Sequence, residues 1–211
     1  MPIHLAHIRA FLNRPGIEGP QQLRGYIPCH TKNGQSANYR GPESGAPENF
    51  SAMGISGVTI ATGVDLGQTN AETLLRNGLD GGIVNMLRPY FMLRNNAAIA
   101  KLHALPLTVA HDTANELDRI TLAVHARIIS ARYDSFHPPT PFEELPWQAQ
   151  AAIFSLLYQR GTGVSAKAPN TWAALVRGDW KDAATRLGTP AFWDGHQARR
   201  TLEGALLKEL V

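Results

Sequence analysis

The sequence predicts an α+β protein that is mostly helical, with a small β-containing lobe near the N-terminus and a larger helical lobe after it. Residues 57–66 are rich in β-branched side chains and glycine, which is typical of a short strand or hairpin. From about residue 69 onward, apolar residues recur at helical spacing between capping and helix-ending residues. Proteins with this layout bind ligands between their lobes, so we expect a cleft there.

The β-containing lobe is expected over about residues 17–68. Before it, apolar residues at helical spacing predict a helix over residues 3–14, which Pro15 and Gly16 should end. Residues 28–56 are rich in Gly, Pro, Ser and Asn, and this composition predicts a long insert with little regular structure.

The helical lobe is expected over about residues 69–211, within a single domain. It begins with a capping box, Thr69-Asn70-Ala71-Glu72, on a helix that ends at Gly78. The later helices are predicted from Asp80 or Gly81, from Asn95 or Asn96 to about His103, from Thr108 to about Tyr133, from Pro146 to Gly161, from Asn170 or Thr171 to Gly178, over 179–187 and over about 191–210. The apolar stripe of the longest helix is predicted at Leu117, Ile120, Val124 and Ile128.

Composition narrows the class of protein. The chain has 211 residues, of which 44% are hydrophobic, so a packed core is expected and wholesale disorder is excluded. The net charge of +3 is too small to predict nucleic-acid binding, but it suits work on an anionic polymer such as a cell wall. Cys29 is the single cysteine, so no intrachain disulfide forms. We expect no signal peptide, no membrane insertion and synthesis in the cytoplasm.

Sequence patterns for cofactor chemistry are weak or absent. Eight histidines occur, and His4 and His7 share one helix face, but there is no HExxH and no Cys/His cluster. No GxSxG precedes a helix, which argues against a serine hydrolase. We therefore expect neither a metal ion nor an organic cofactor.

Glu18 is the first candidate catalytic residue. It follows the first predicted helix and precedes Gly19. A carboxyl group that is partly desolvated between a helix and a β-lobe tends to stay protonated near neutral pH, as a general acid requires. The alternative is an exposed carboxylate at the end of a helix.

Asp65 is the second candidate, together with Thr59. In a straight strand these two residues would lie roughly 20 Å apart, so they converge only if the chain turns between them. Thr62-Gly63 offers such a turn. Asp65 would then act as base or electrostatic stabiliser, while Thr59 holds a water. The alternative makes Asp65 a turn residue or a helix cap near Thr69. Two carboxylates in one cleft are the minimum for cleaving a glycosidic bond.

These residues resemble the phage-type lysozymes, and in particular pesticin and related bacteriocin and effector muramidases. The matching pattern is Glu18-Gly19 followed by Thr59-Ile60-x-x-Gly63-x-Asp65-Leu66-Gly67. In that family a Glu ends the first helix and Thr-Ile-Gly-x-Gly follows in the β-lobe, so Ala61 departs from a common Gly. In the pesticin branch the Asp six residues after the Thr is catalytic, which implies the same role for Asp65.

The resemblance continues in the helical lobe and covers most of the chain except residues 28–56. The matching segments are Ile153-Phe154-Ser155-Leu156-x-Tyr158-Gln159, Trp172-x-x-Leu175-x-x-Gly178-Asp179-Trp180 and Arg199-Arg200-x-x-Glu203. It implies that Gln159 lies near the substrate, and we expect Tyr158 and Gly63 to contribute to substrate binding as well.

The resemblance implies a lysozyme-like fold and a muramidase that cleaves the β-1,4 bond between N-acetylmuramic acid and N-acetylglucosamine in peptidoglycan. A water between Asp65 and the sugar implies inversion, with carboxyl groups about 6.5–9.5 Å apart, whereas about 5–5.5 Å would imply retention. Glu43 and Glu48 in the insert remain alternatives for the second carboxylate. We expect a monomer without nucleic-acid partners.

The route to the wall stays open at this point. An antibacterial toxin, such as a bacteriocin domain or a type VI secretion effector, would act in the periplasm of a target cell and would imply an immunity protein. A phage endolysin would use the same chemistry. A chitinase-like glycosidase and a non-catalytic wall-binding or partner-binding module are further alternatives, although Glu18, Thr59 and Asp65 together argue against the last.

Overall fold

The computed structural model describes residues 3–161, 163–193 and 195–211. Its α-helices are, in chain order, α1 (Leu5–Leu12), α2 (Ala71–Arg76), α3 (Gly81–Leu87), α4 (Asn95–Ala104), α5 (His111–Asp134), α6 (Trp147–Arg160), α7 (Val164–Lys167), α8 (Pro169–Arg177), α9 (Trp180–Gly188) and α10 (Gln197–Lys208). Its strands are β1 (Gln22–Thr31), β2 (Ser36–Tyr39), β3 (Phe50–Ala52), β4 (Thr59–Ala61) and β5 (Val64–Asp65). The predicted α+β class, mostly helical with a small sheet, is confirmed.

The chain divides into two compact units. The middle unit comprises residues 20–121, and the terminal unit comprises residues 1–19 and 122–211. The sheet and α2–α4 therefore belong to the same unit, while α5 contributes residues to both. The interpretation of the chain as a single domain with lobes at 17–68 and 69–211 stays a prediction.

The sheet of the middle unit is antiparallel and is organised around β1. Its order is β2-β1-β4-β5, and β3 also pairs with β1. The prediction that residues 28–56 have little regular structure is wrong, because this segment contains the end of β1 and all of β2 and β3. Gly25, Ile27 and Cys29 are buried at alternating positions of β1, a strand signal that the Gly- and Pro-rich composition concealed.

A hydrophobic core joins the sheet to the helices of the middle unit. Its fully buried members include Ile27, Tyr39, Ile60, Leu66, Leu87 and Leu102. These residues come from strands and helices alike, so the strands that carry the predicted site are fixed by a packed core.

The terminal unit is built around α6. Every residue from Ala149 to Leu157 is buried, which is typical of a helix at the centre of a bundle. Both α1 and α10 pack against it. Gly161, with φ of 73°, follows its last turn.

Several predicted helix limits need correction. Asn70 caps α2 through a hydrogen bond from the Thr73 N–H, so the cap lies one residue after Thr69. Thr108 does not cap α5, which begins at His111, because Thr108 forms a β-bridge with Arg24. The last helix begins at Gln197 rather than near residue 191.

The predicted apolar stripe of α5 is partly wrong. Leu117 and Ile120 are buried as expected, whereas Ile128 is 50% exposed. In the second half of this helix the buried apolar positions are Leu122, Ala126, Ile129 and Tyr133. Extending one i, i+3/i+4 stripe over 24 residues fails here because the residues from Leu122 onward join the core of the other unit.

Candidate active site

A tight hairpin brings Thr59 opposite Asp65. Strands β4 and β5 pair with Thr59 facing Asp65 and Ile60 facing Val64. Gly63 has φ of 76° in the connecting turn, a conformation that glycine adopts without strain. The predicted turn, and the convergence of the two residues that depends on it, are confirmed.

Ala61 enters the same turn with φ of 53°. A residue with a Cβ atom costs roughly 1 kcal/mol or more in this left-handed region. The departure from glycine noted in the sequence therefore falls at a position whose backbone favours glycine.

Backbone N–H groups hold the Asp65 carboxylate. The Gly67 N–H donates to Oδ1 at 2.8 Å, and the Gly57 N–H donates to Oδ1 at 3.1 Å and to Oδ2 at 3.3 Å. Through the Gly67 contact Asp65 also caps the 3₁₀ turn Leu66–Gln68. The alternative that Asp65 is a cap is therefore correct in part, but the capped turn directly follows it and precedes Thr69.

The two glycines are required by sterics. A Cβ atom on Gly57 would lie 2.6 Å from the Gly67 Cα, and a Cβ atom on either glycine would lie 2.5 Å from the Leu93 carbonyl oxygen. Side chains larger than hydrogen would push the two N–H donors away from Asp65. Gly57, Gly67 and Asp65 thus form one unit, which we call the Asp65 cradle.

The environment of Asp65 acts on its pKa in two directions. Burial raises the pKa and has the largest influence, whereas the N–H groups of Gly57 and Gly67, the Gln68 side chain and the Arg94 guanidinium lower it. The net result is a pKa above the ordinary value for aspartate. A raised pKa makes a carboxylate a stronger base, which suits deprotonation of a water.

Thr59 lies beside this cradle. Its side chain is buried, and its hydroxyl donates to the Gly57 carbonyl oxygen at 3.4 Å. A hydroxyl that donates in this way keeps its lone pairs, which can accept a hydrogen bond from a water.

Asp118 is a residue that sequence reasoning missed. It is fully buried on α5 and accepts hydrogen bonds from the Thr62 N–H and the Thr62 hydroxyl, both at 2.8 Å, and from the Gln21 amide at 2.7 Å. It therefore anchors the hairpin turn. Ala114 and Thr121 lie one helical turn on either side of it and are also buried, so a carboxylate on the buried face of α5 was the available signal.

Glu18 belongs to the terminal unit. After α1 the chain turns back through Gly16, and the Glu18 N–H donates to the Leu12 carbonyl oxygen at 3.0 Å. The Glu18 side chain is 20% exposed, and its Oε1 lies 2.6 Å from Nη1 of Arg199. The carboxyl group is therefore partly desolvated, as expected, and it is also ion-paired.

Arg199 connects Glu18 to a buried polar network. Its Nη2 donates to the Ser155 carbonyl oxygen at 2.9 Å, and its Nε lies 3.3 Å from Oε1 of Glu203. Glu203 is fully buried and also pairs with Arg200 at 2.8 Å. The sequence showed these charges on one helix, but their contact with Glu18 joins residues 181 positions apart and leaves no local signal.

Gln159 and Tyr158 lie in the last turn of α6, in the same unit as Glu18. The Gln159 side-chain oxygen accepts a hydrogen bond from Arg200 at 2.6 Å. Tyr158 stacks on Phe154 and contacts His125 edge-on. Both predicted binding residues are partly buried, and their contact with substrate stays a prediction, as does that of Gly63.

The two alternative carboxylates, Glu43 and Glu48, lie on short 3₁₀ turns of the segment 28–56. Glu43 is ion-paired with Arg24. Glu48 is exposed and lines a surface cavity of about 300 Å³ with Phe50 and Asn96. Neither carboxylate takes part in the hydrogen bonds that hold Asp65.

The residues that the structure describes contain neither a membrane-spanning helix nor a cluster of metal ligands. No helix in this part of the chain is both long and apolar enough to cross a membrane. Across the same residues, no three His, Cys, Asp or Glu side chains form a group that could hold a metal ion.

A protein-family model described as pesticin, a bacterial toxin homologue of phage lysozyme, C-terminal part, matches residues 11–181. The match covers well over half of the chain and includes Glu18, Thr59, Asp65 and Gln159. No individual curated protein shows a significant match. The observed α+β fold agrees with a lysozyme-like structure, and the family supports a lysozyme-like muramidase or toxin. The chain therefore belongs to the pesticin family of bacterial toxin domains that are homologous to phage lysozyme.

Proposed function

We propose that the protein is a muramidase that hydrolyses the β-1,4 bond between N-acetylmuramic acid and N-acetylglucosamine in peptidoglycan. The proposal depends mainly on one observation, the pairing of Thr59 with Asp65 in a hairpin of a phage-lysozyme homologue. The partly desolvated Glu18 supplies the second carboxyl group that glycoside hydrolysis needs.

In this mechanism Glu18 protonates the leaving oxygen of the glycosidic bond. Once it has lost its proton, the carboxylate is stabilised by Arg199, whose guanidinium lies 2.6 Å away. General acid catalysis of this kind contributes on the order of 10²–10⁴-fold to the rate.

Asp65 and Thr59 act on the attacking water. The Asp65 carboxylate orients and deprotonates the water, while the Thr59 oxygen accepts a hydrogen bond from it. Direct attack by water gives inversion at the anomeric carbon. Gln159, Tyr158 and Gly63 would bind the glycan.

We further propose that the protein is an antibacterial toxin or effector domain that acts as a monomer on the wall in the periplasm of a target cell. The family description as a bacterial toxin supports this role over an endolysin. The net charge of +3 would favour adsorption to anionic wall polymers. A producing cell would then need an immunity protein that covers the catalytic residues.

The decisive experiment is mass spectrometry of purified peptidoglycan digested by wild type and by Glu18→Gln. We expect wild type to release muropeptides with reducing N-acetylmuramic acid ends, and Glu18→Gln to lose at least about 99% of the rate because the general acid is removed. The exposed residue Glu72, which pairs with Arg76 on the surface, provides a matched control as Glu72→Gln. Full activity in Glu18→Gln would overturn the assignment.

Asp65→Asn tests the second carboxylate in the same assay. We expect a comparable loss of rate, and NMR of freshly formed product should show the α-anomer if the reaction inverts. Wild-type activity in Asp65→Asn would transfer the role to Glu43 or Glu48, which Glu43→Gln and Glu48→Gln would then separate. Cleavage of chitin oligomers in preference to peptidoglycan would contradict the proposed substrate.

A further inference from the structure

The segment Met92–Asn95, whose last residue begins α4, is attached to both sides of the Asp65 cradle. The Met92 N–H donates to the Leu66 carbonyl oxygen at 3.1 Å, and the Asn95 N–H donates to the Ser56 carbonyl oxygen at 3.0 Å. We call residues 92–95 the cradle strap. Its two ends are thus hydrogen-bonded to the residues that precede Gly67 and Gly57.

The strap has an unusual backbone. Met92 has φ of 60° and Asn95 has φ of 54°, so two residues with side chains occupy the left-handed region within four positions. Such conformations cost of order 1–3 kcal/mol each and persist where the surrounding contacts enforce them. The hydrogen bonds at Met92 and Asn95 are contacts of this kind.

The middle of the strap lies against the two glycines of the cradle. A Cβ atom on Gly57 or on Gly67 would lie 2.5 Å from the Leu93 carbonyl oxygen, which shows how closely the strap approaches both glycines. A displacement of the strap would therefore move the peptide groups that hold Asp65.

Arg94 is the charged residue of the strap. Its Nε donates to the Gly67 carbonyl oxygen at 2.9 Å, while the N–H of the same Gly67 donates to Asp65. Gly67 is therefore held between Arg94 on one side and Asp65 on the other. Among the described groups that influence the pKa of Asp65, which also include Gln68 and the two glycine N–H groups, Arg94 carries a charge.

We propose that Arg94 is a positioning residue for Asp65: its guanidinium fixes the Gly67 peptide and keeps a positive charge beside the carboxylate that activates the water. This role depends on the proposed muramidase function. Because Asp65 is half-buried, a nearby charge is screened less than it would be at the surface. The positive charge favours the ionised carboxylate, the form that acts as base.

The test compares Arg94→Met and Arg94→Lys with wild type on soluble peptidoglycan fragments. For Arg94→Met we expect kcat to fall between about tenfold and a hundredfold with KM little changed, because Asp65 is misplaced. The acidic limb of the kcat profile should move to higher pH, since the charge that favours ionised Asp65 is gone. Arg94→Lys keeps the charge and should restore the position of that limb.

Arg88→Met is the matched control. Arg88 is exposed, lies just before the strap and hydrogen-bonds to Asn85, so this variant removes one positive charge from the same region without touching the cradle. We expect a wild-type pH profile for it. A purely structural role of Arg94 would leave the acidic limb of Arg94→Met in place, or would make Arg94→Lys as defective as Arg94→Met, and either result would overturn the proposal.

Carbon NMR of the Asp65 carboxyl separates this inference from the proposed function. The resonance is assigned by its loss in Asp65→Asn and is titrated in wild type and in Arg94→Met. If neither wild type nor any variant releases muropeptides, the proposed function fails. The titration of Asp65 then still shows whether Arg94 acts on this carboxyl group. An unchanged Asp65 titration in a folded Arg94→Met would refute the inference whatever the activity.

Discussion

The surroundings of Glu18 and Asp65 differ in kind. Side chains hold Glu18: its carboxylate pairs with Arg199, which in turn contacts the buried Glu203. Main-chain N–H groups hold Asp65, and two glycines are needed to present them. One carboxylate therefore depends on charge, and the other depends mainly on the shape of the backbone.

This difference determines which substitutions each site tolerates. A side-chain ion pair is broken by neutralising its partner, and in a buried network the partners that remain are left without compensation. The donors of the Asp65 cradle are main-chain N–H groups, which no substitution neutralises, so these donors are displaced chiefly by steric bulk. Charge-changing substitutions should therefore have the larger effect around Glu18, and size-changing substitutions should have the larger effect around Asp65.

The largest effect is expected for Arg199→Met. Arg199 is 5% exposed, and its removal breaks the ion pair with Glu18 and takes an arginine partner from the fully buried Glu203. Breaking a buried ion pair in this way costs about 3–5 kcal/mol of unfolding free energy. Urea unfolding at neutral pH measures the loss, and muropeptide release should fall as well.

Arg177→Met is the control for Arg199→Met. Arg177 is 60% exposed and lies 3.9 Å from Asp182 in the same unit, so its loss should cost less than about 1 kcal/mol. Equal stabilities of the two variants would mean that the network around Glu18 is not held by charge.

The next effect is expected for Gly67→Ala. The added methyl group would lie 2.5 Å from the Leu93 carbonyl oxygen and 2.8 Å from the Gly57 Cα, so backbone must move. Overpacking of this kind costs about 1–3 kcal/mol. Activity should fall further than stability suggests, because the N–H donors of Asp65 are displaced.

Gly81→Ala is the matched substitution in the same unit. Gly81 is the first residue of α3, and among the described residues a Cβ atom there meets nothing within 4 Å beyond its chain neighbours and its own helix backbone. Stability should be unchanged or raised, since alanine favours a helix. A Gly67→Ala protein with wild-type stability and lysis would show that the cradle is not constrained by sterics.

The hairpin was predictable from sequence because its signals are local. Thr59 and Asp65 share a segment with β-branched residues, and Gly63 provides the turn. The contacts that support it are not local. Leu93 and Asp118 approach the hairpin from other elements, so the sequence of residues 57–67 contains no signal for these contacts.

The same distinction applies to the other carboxylate and to the insert. The position of Glu18 after α1 follows from the end of a helix, whereas its pairing with Arg199 depends on tertiary packing. The turn-forming composition of residues 28–56 conceals the strands there, including the end of β1, where Cys29 continues the alternate burial of Gly25 and Ile27. Turn-rich composition indicates many turns, and it does not exclude short strands between them.

The smallest effect, and the finest test of the comparison, concerns the pH dependence of stability in Asp65→Asn. Burial raises the pKa of Asp65 in the folded protein, so its folded state binds a proton more tightly than its unfolded state. This contribution to the free energy of unfolding is fully present below the unfolded pKa of about 3.9 and is lost as pH rises through the folded pKa.

The comparison with Asp65→Asn measures this contribution. Asparagine does not titrate, and its oxygen can still accept both glycine N–H groups. The melting temperature of Asp65→Asn relative to wild type should therefore rise between acidic and neutral pH, as measured by calorimetry, with Asp112→Asn at an exposed site correcting for net charge. A relative melting temperature that falls over this range would mean that the N–H groups and Arg94 together outweigh burial, so that the folded protein favours the ionised form of Asp65.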